Sequence, residues 1–118
     1  MPFKAILQDL TRKSRATGAI MLDWEGELVA SYSVSDSLQM DLIGAHHGII
    51  LDIIKDASTR SDAPEVRSVS ISTGSTRLAI SSIKEGYYLV VALEKKQPVG
   101  RALFESKRAI KVIEREMG

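Results

Sequence analysis

The residue types able to do chemistry are few, and their spacing is poor for it. His46 and His47 are the only histidines. Adjacent on a helix, they would point about 100° apart and could not grip one metal ion as an i, i+4 pair does. Gly74-Ser75-Thr76 has the glycine of a phosphate loop but lacks the Gly-x4-Gly-Lys-Ser/Thr spacing. It also falls between two expected strands with no helix N-terminus behind it, so it reads as a hairpin turn. Serine is plentiful, yet no Gly-x-Ser-x-Gly elbow presents one as a nucleophile. Paired carboxylates such as Glu114 with Glu116 sit on an expected surface helix, where solvated charge accounts for them. Cysteine is absent, which excludes a disulfide framework, a thiol nucleophile and every Cys-based metal site. The expectation is a protein with no catalytic residues, no metal and no cofactor.

The elements that would have to position any site are legible from periodicity and punctuation. Phe3, Ile6, Leu7 and Leu10 form one helical stripe, opened by Pro2 and closed by Gly18. Gly18 to Asp23 and the alternating Leu28, Ala30 and Tyr32 flank a Trp24-Glu25-Gly26 turn, predicting a β-hairpin with positive φ at Gly26. Asp36 followed by Gln39 resembles a capping box, and the Leu- and Ile-rich stretch from Ser37 to about Ser58 predicts a central helix. The polar run from Ser58 to Pro64 ends it. Val66 to Thr73 then alternates as a third strand, and the Gly74-Ser75 turn sets the register Ile71 to Leu78 and Val69 to Ile80. Lys84-Glu85-Gly86 reads as a three-residue loop with glycine at its left-handed position, leading into Tyr87 to Leu93, apolar on both faces and so expected at the centre of the sheet. Pro98, at the favoured first position, opens a last helix striped by Val99, Leu103, Ile110, Ile113 and Met117. The order αββαβββα predicts an α+β fold, a single antiparallel five-stranded sheet with helices on both faces.

Apolar surface is left over on the central helix. Leu38, Leu42, Ala45, Ile49 and Ile53 make one stripe able to cover the sheet. Ile43, Ile50, Ile54 and Ala57 make a second about 120° away, extended by Met40, His47 and Leu51. A helix apolar most of the way round, in a domain this small, predicts a subunit interface or binding surface; the alternative is full burial within one chain. Gly44 and Gly48 on one edge of that helix would let another backbone approach closely. Ile50→Asp is accordingly expected to convert a dimer to monomer or to unfold it, as read by light scattering. The strand over 66–73, carrying Ser68, Ser70 and Ser72 beside Ile71, is a second candidate edge for pairing with its own copy, the alternative being an ordinary solvated sheet face. Trp24 at a hairpin tip is a candidate anchor for a partner, the alternative being that it folds over a neighbouring strand. Arg101, Arg108, Lys111 and Arg115 share an outward stripe with Phe104, suited to an acidic partner or simply solvated.

A chain of 118 residues suits one domain, residues 1–118, with a core of its own. Sixteen Lys and Arg against fifteen Asp and Glu leave a formal charge of +1, so no overall field draws it to nucleic acid or a membrane. Charge arrives too early for a signal peptide, and no apolar run is long enough to span a bilayer, so a cytoplasmic location is expected.

The element order, the first hairpin Gly18-Ala-Ile-Met-Leu-Asp-Trp-Glu-Gly-Glu-Leu-Val-Ala30, the Asp36 helix start, the Leu78 to Val91 hairpin and the closing helix after Pro98-Val-Gly100 together resemble the Roadblock family. That family includes dynein light chains and the bacterial MglB-type regulators, and its fold is profilin- and longin-like. The resemblance covers nearly the whole chain and implies a homodimer with central helices side by side and third strands paired. It also implies a Ras-like small GTPase as partner, regulated by reshaping and not by supplied chemistry. The interface residues expected are Ile43, Gly44, His47, Gly48, Ile50, Leu51, Ile54, Ser70 and Ile71. Two other functions compete with this one: a dimeric adaptor or scaffold that leaves GTP turnover unchanged, and a small-molecule sensor. No arginine stands out as a finger toward a γ-phosphate.

Overall fold

In the computed structural model, residues 2–34, 68–72 and 76–118 are described. They form helix α1 (Pro2–Ser14), strands β1 (Gly18–Leu22), β2 (Leu28–Ser33), β3 (Ser68–Ser72), β4 (Thr76–Ser82) and β5 (Tyr88–Glu94), and helix α2 (Val99–Met117). The strands make one antiparallel sheet in the order β2-β1-β5-β4-β3, so β5 is central, as its two-sided apolar sequence requires. The expected register holds, with Ile71 opposite Leu78 and Val69 opposite Ile80.

Alternation along the strands divides the sheet into two apolar layers. Ala19, Met21, Ala79, Leu89, Val91 and Leu93 face α1 and α2, meeting Leu7, Leu10, Ala102, Ala109 and Ile113. Ile20, Leu22, Leu78, Ile80, Val90 and Ala92 are buried on the opposite face, with Val69, Ile71 and Tyr88 against them. Both described helices lie on the first face. The central helix expected over 37–58, which would supply the second, lies outside the described residues. So do the predicted turn at Gly74-Ser75 and residues 66, 67 and 73 of the third strand.

Three local readings change. Gly18 does not close α1: the helix stops at Ser14, Arg15 takes the left-handed conformation at φ 55°, and Gly18 is already the first residue of β1. Its lack of a side chain serves a close approach, because a Cβ there would sit 2.8 Å from the Tyr32 carbonyl oxygen on β2. Pro98 is not the first helical residue of α2. It is the N-cap, with extended ψ of 133°, which its ring and missing N–H tolerate equally. Finally, a register shift between Met21 and Leu22 places Ala30 opposite Met21 but Leu28 opposite Leu22, so Val29 is an extra residue. This bulge turns Leu28 off the face shared by Ala30 and Tyr32 and leaves it exposed.

The turns follow their glycines. Gly26 has φ 84° in the first hairpin, where the Asp23 carboxylate accepts from the Glu25 and Glu27 N–H groups. The loop from β4 to β5 is a tight 3-10 turn over Lys84–Gly86, with positive φ at both Glu85 and Gly86. Glu114 of α2 accepts from the Lys84 N–H at 2.9 Å, tying the end of the last helix to this turn.

Candidate interface surfaces

The edge strand β3 holds the two expected interface residues that fall among the described ones. Ser70 is exposed and Ile71 half-buried; as neighbours in a strand they occupy opposite faces of the sheet. Ile71 belongs to the second apolar layer, whereas Ser70 shares the helical face with Ser68, whose hydroxyl lies 3.0 Å from that of Ser81. β3 pairs with β4 on one side, and its other edge carries no strand among the described residues. Its sequence, Ser-Val-Ser-Ile-Ser, has none of the lysines, prolines or inward charges that blunt a solvent-facing edge. Ile43, Gly44, His47, Gly48, Ile50, Leu51 and Ile54 lie outside the described residues, as do His46 and Gly74-Ser75.

A second feature joins the two hairpin tips. The β1–β5 register sets Leu22 opposite Tyr88, bringing the turn after β1 beside the turn before β5. Trp24 and Tyr87 consequently meet edge to face, ring centroids 5.7 Å apart at 69°. Trp24 remains 54% exposed, so it folds against its neighbour and still presents an aromatic surface. Trp24 alone is conspicuous in the sequence; Tyr87 becomes its partner only once the strand order is known.

The outward face of α2 carries Arg101, Phe104, Arg108, Lys111 and Arg115, all exposed, with Phe104 at 58%. Beside it, on α1, Asp9 receives hydrogen bonds from Lys13 at 3.0 Å and Arg12 at 2.6 Å. These two cations, Lys13 first, hold the Asp9 carboxyl below its ordinary 3.8. The hollow between α1 and the end of β2, about 530 Å³ and lined by Gln8, Arg12, Arg15, Tyr32 and Val34 among others, opens to solvent and does not enclose a small molecule.

Among the described residues no group of three or more His, Asp or Glu side chains is placed to hold a metal ion. Among them, too, no helix is long and apolar enough to cross a membrane.

Comparison with known proteins agrees with this architecture. The family model described as the Roadblock/LC7 domain matches residues 2–93. No curated protein matches the chain. Among solved structures, Myxococcus xanthus MglB superposes with a TM-score of 0.81 at 15% identity, covering 99% of this chain and 95% of that one. The gliding protein MglB from Thermus thermophilus gives 0.82 at 15% identity, covering 96% and 86%. A structure described as MglB with tetrameric arrangement gives 0.80 at 15% identity, covering 97% and 86%.

Proposed function

The chain belongs to the Roadblock/LC7 domain family, a family of regulators and adaptors more than of catalysts, and from that premise we propose that it is a homodimeric, non-enzymatic regulator of a Ras-like small GTPase. What carries the reading is the edge of β3 that carries no strand among the described residues. A strand of five residues without charge or proline is an unprotected template for another strand, and pairing with its own copy across a twofold axis satisfies both edges at once. The tetrameric arrangement described for one MglB supports self-association as a property of chains with this fold.

Ser70 and Ile71 supply the strand part of the proposed interface. Ile43, Gly44, His47, Gly48, Ile50, Leu51 and Ile54 supply the part drawn from the leftover apolar stripe. The GTPase partner follows from the family resemblance. Bound to one arrangement of the switch regions more tightly than to the other, such a dimer shifts the nucleotide state by differential affinity and needs no catalytic side chain. The cytoplasm, where such GTPases work, is the proposed location.

The test measures GTP hydrolysis and nucleotide release by Ras-like GTPases of the same organism, with and without this protein. A change in either rate that saturates with its concentration supports regulation. Binding with both rates unchanged makes the protein an adaptor, and no binding to any of them removes the GTPase from the proposal.

A further inference from the structure

At about 100° per residue, Arg101, Phe104, Arg108, Lys111 and Arg115 fall within an arc of about 80° on α2 and run about 21 Å along it. Every one of them is exposed, and Val112, 40% exposed, borders the stripe. The acids of α2 are elsewhere. Glu105 is buried, Glu114 is engaged by the Lys84 N–H, and Glu116 lies about 100° from the centre of the arc. The cations are also poorly neutralised from within. Arg108 stands 4.0 Å from Glu105, and the Arg101 Nε donates to the Lys13 carbonyl at 2.6 Å, which leaves its charge intact. The side chains of Lys111 and Arg115 have no ion pair or hydrogen bond among the described residues.

A row of four exposed cations, of which only Arg108 approaches a carboxylate among the described residues, around a large exposed aromatic ring is a surface of defined chemistry. We propose that the outward face of α2 docks an acidic amphipathic helix of a partner protein. Its carboxylates, spaced by one or two turns, pair with Arg101, Arg108, Lys111 and Arg115, and an apolar side chain seats against Phe104 and Val112. Three of the four cations are arginines, whose planar fork binds a carboxylate through two parallel hydrogen bonds. Phe104 lies between Arg101 and Arg108, so an apolar contact there is ringed by charge pairs, the arrangement that excludes water from a binding hot spot. A long polyanion or a lipid surface fits less well. The formal charge of the chain is only +1, so beyond this helix such a partner meets as much repulsion as attraction. Two apolar side chains are too few to anchor a helix in a bilayer. This surface is separate from β3 and does not rest on the GTPase reading.

The experiment titrates the protein into a labelled 18-residue synthetic helix with glutamates at one-turn spacing and a leucine row beside them, read by fluorescence anisotropy. Saturable binding that weakens as salt is raised is expected. The double variant Arg108→Glu/Lys111→Glu should weaken it by at least about tenfold, and Phe104→Ser should weaken it severalfold. All three substitutions are at exposed positions, and an unchanged thermal transition verifies the fold. The same peptide with its leucines replaced by glutamine should bind severalfold more weakly, which separates docking from simple charge attraction. The proposal is overturned by absence of saturable binding, by equal binding of the leucine-free peptide, or by full binding to the double variant. It is equally overturned if vesicles of phosphatidylcholine and phosphatidylserine, or a 20-nucleotide single strand of DNA, bind the same face more tightly than the peptide.

Discussion

At Gly18 a single missing methyl group decides how closely two strands lie. A Cβ there would stand 2.8 Å from the Tyr32 carbonyl oxygen and 3.4 Å from the Ser33 Cα, both backbone atoms that move only if β2 moves. Gly18→Ala should therefore cost about 1–3 kcal/mol, seen as a lower midpoint in urea unfolding. Asp9 makes the opposite case. Its two ion pairs are solvent-exposed, so Asp9→Asn should change stability at neutral pH by less than about 0.5 kcal/mol. Because Lys13 and Arg12 depress its folded pKa, the carboxylate's small contribution is present above the ordinary 3.8 and is lost as pH falls through the lower folded value. An acid titration of stability should show wild type and variant converging there. The turn glycines at 26 and 86 were legible from sequence because a turn's neighbours announce it. Gly18 was not, since its reason is a carbonyl on another strand, and the residue that ends α1 in left-handed geometry is an arginine.

The buried line of α2 is Ala102, Ser106, Ala109 and Ile113 with Glu105 beside it, rotated by about 50° from the stripe of large apolar residues Val99, Leu103, Ile110, Ile113 and Met117. Small side chains at 102, 106 and 109 let α1 come close, so burial follows backbone approach and not side-chain hydrophobicity. Hydrophobic periodicity located the helix and a stripe that does pack on the core, with Val99, Leu103, Ile110 and Met117 partly buried against it, but it did not show that the most deeply buried line runs through small residues. Ile113 is where the two criteria agree, at 0% exposure. Ile113→Ala should cost about 2–5 kcal/mol, while Val112→Ala, one residue away on the solvent side, should be nearly neutral. A pair of thermal melts separates them. On α1 the same logic accommodates Thr11, buried because its hydroxyl donates back to the Leu7 carbonyl at 2.7 Å.

For the molecule as a whole, the sheet order leaves two edges, β2 and β3, and they differ in how far they invite a partner. β2 is interrupted by the bulge at Leu22 and Leu28, which twists its early part away from regular pairing. β3 pairs with β4 without a register shift and carries no charge, so it is the edge where a second copy fits best. The topology was legible because each hairpin advertises itself through a turn, and the family because the order of those elements is distinctive. The partner was not, since recognition by shape leaves no motif and the Ile43, Ile50 and Ile54 stripe says only that something apolar must cover it. The β3 proposal yields a direct test in Ser70→Lys. Ser70 is exposed and its side chain has no hydrogen bond or ion pair among the described residues, so the monomer should keep its thermal transition. In a dimer paired through β3, two lysines would meet near the twofold axis, where like charges opposed across strands are destabilising. Light scattering after size-exclusion chromatography should show the wild type at twice the chain mass and the variant shifted toward one. If both run at the same mass, β3 is not the seam of the dimer.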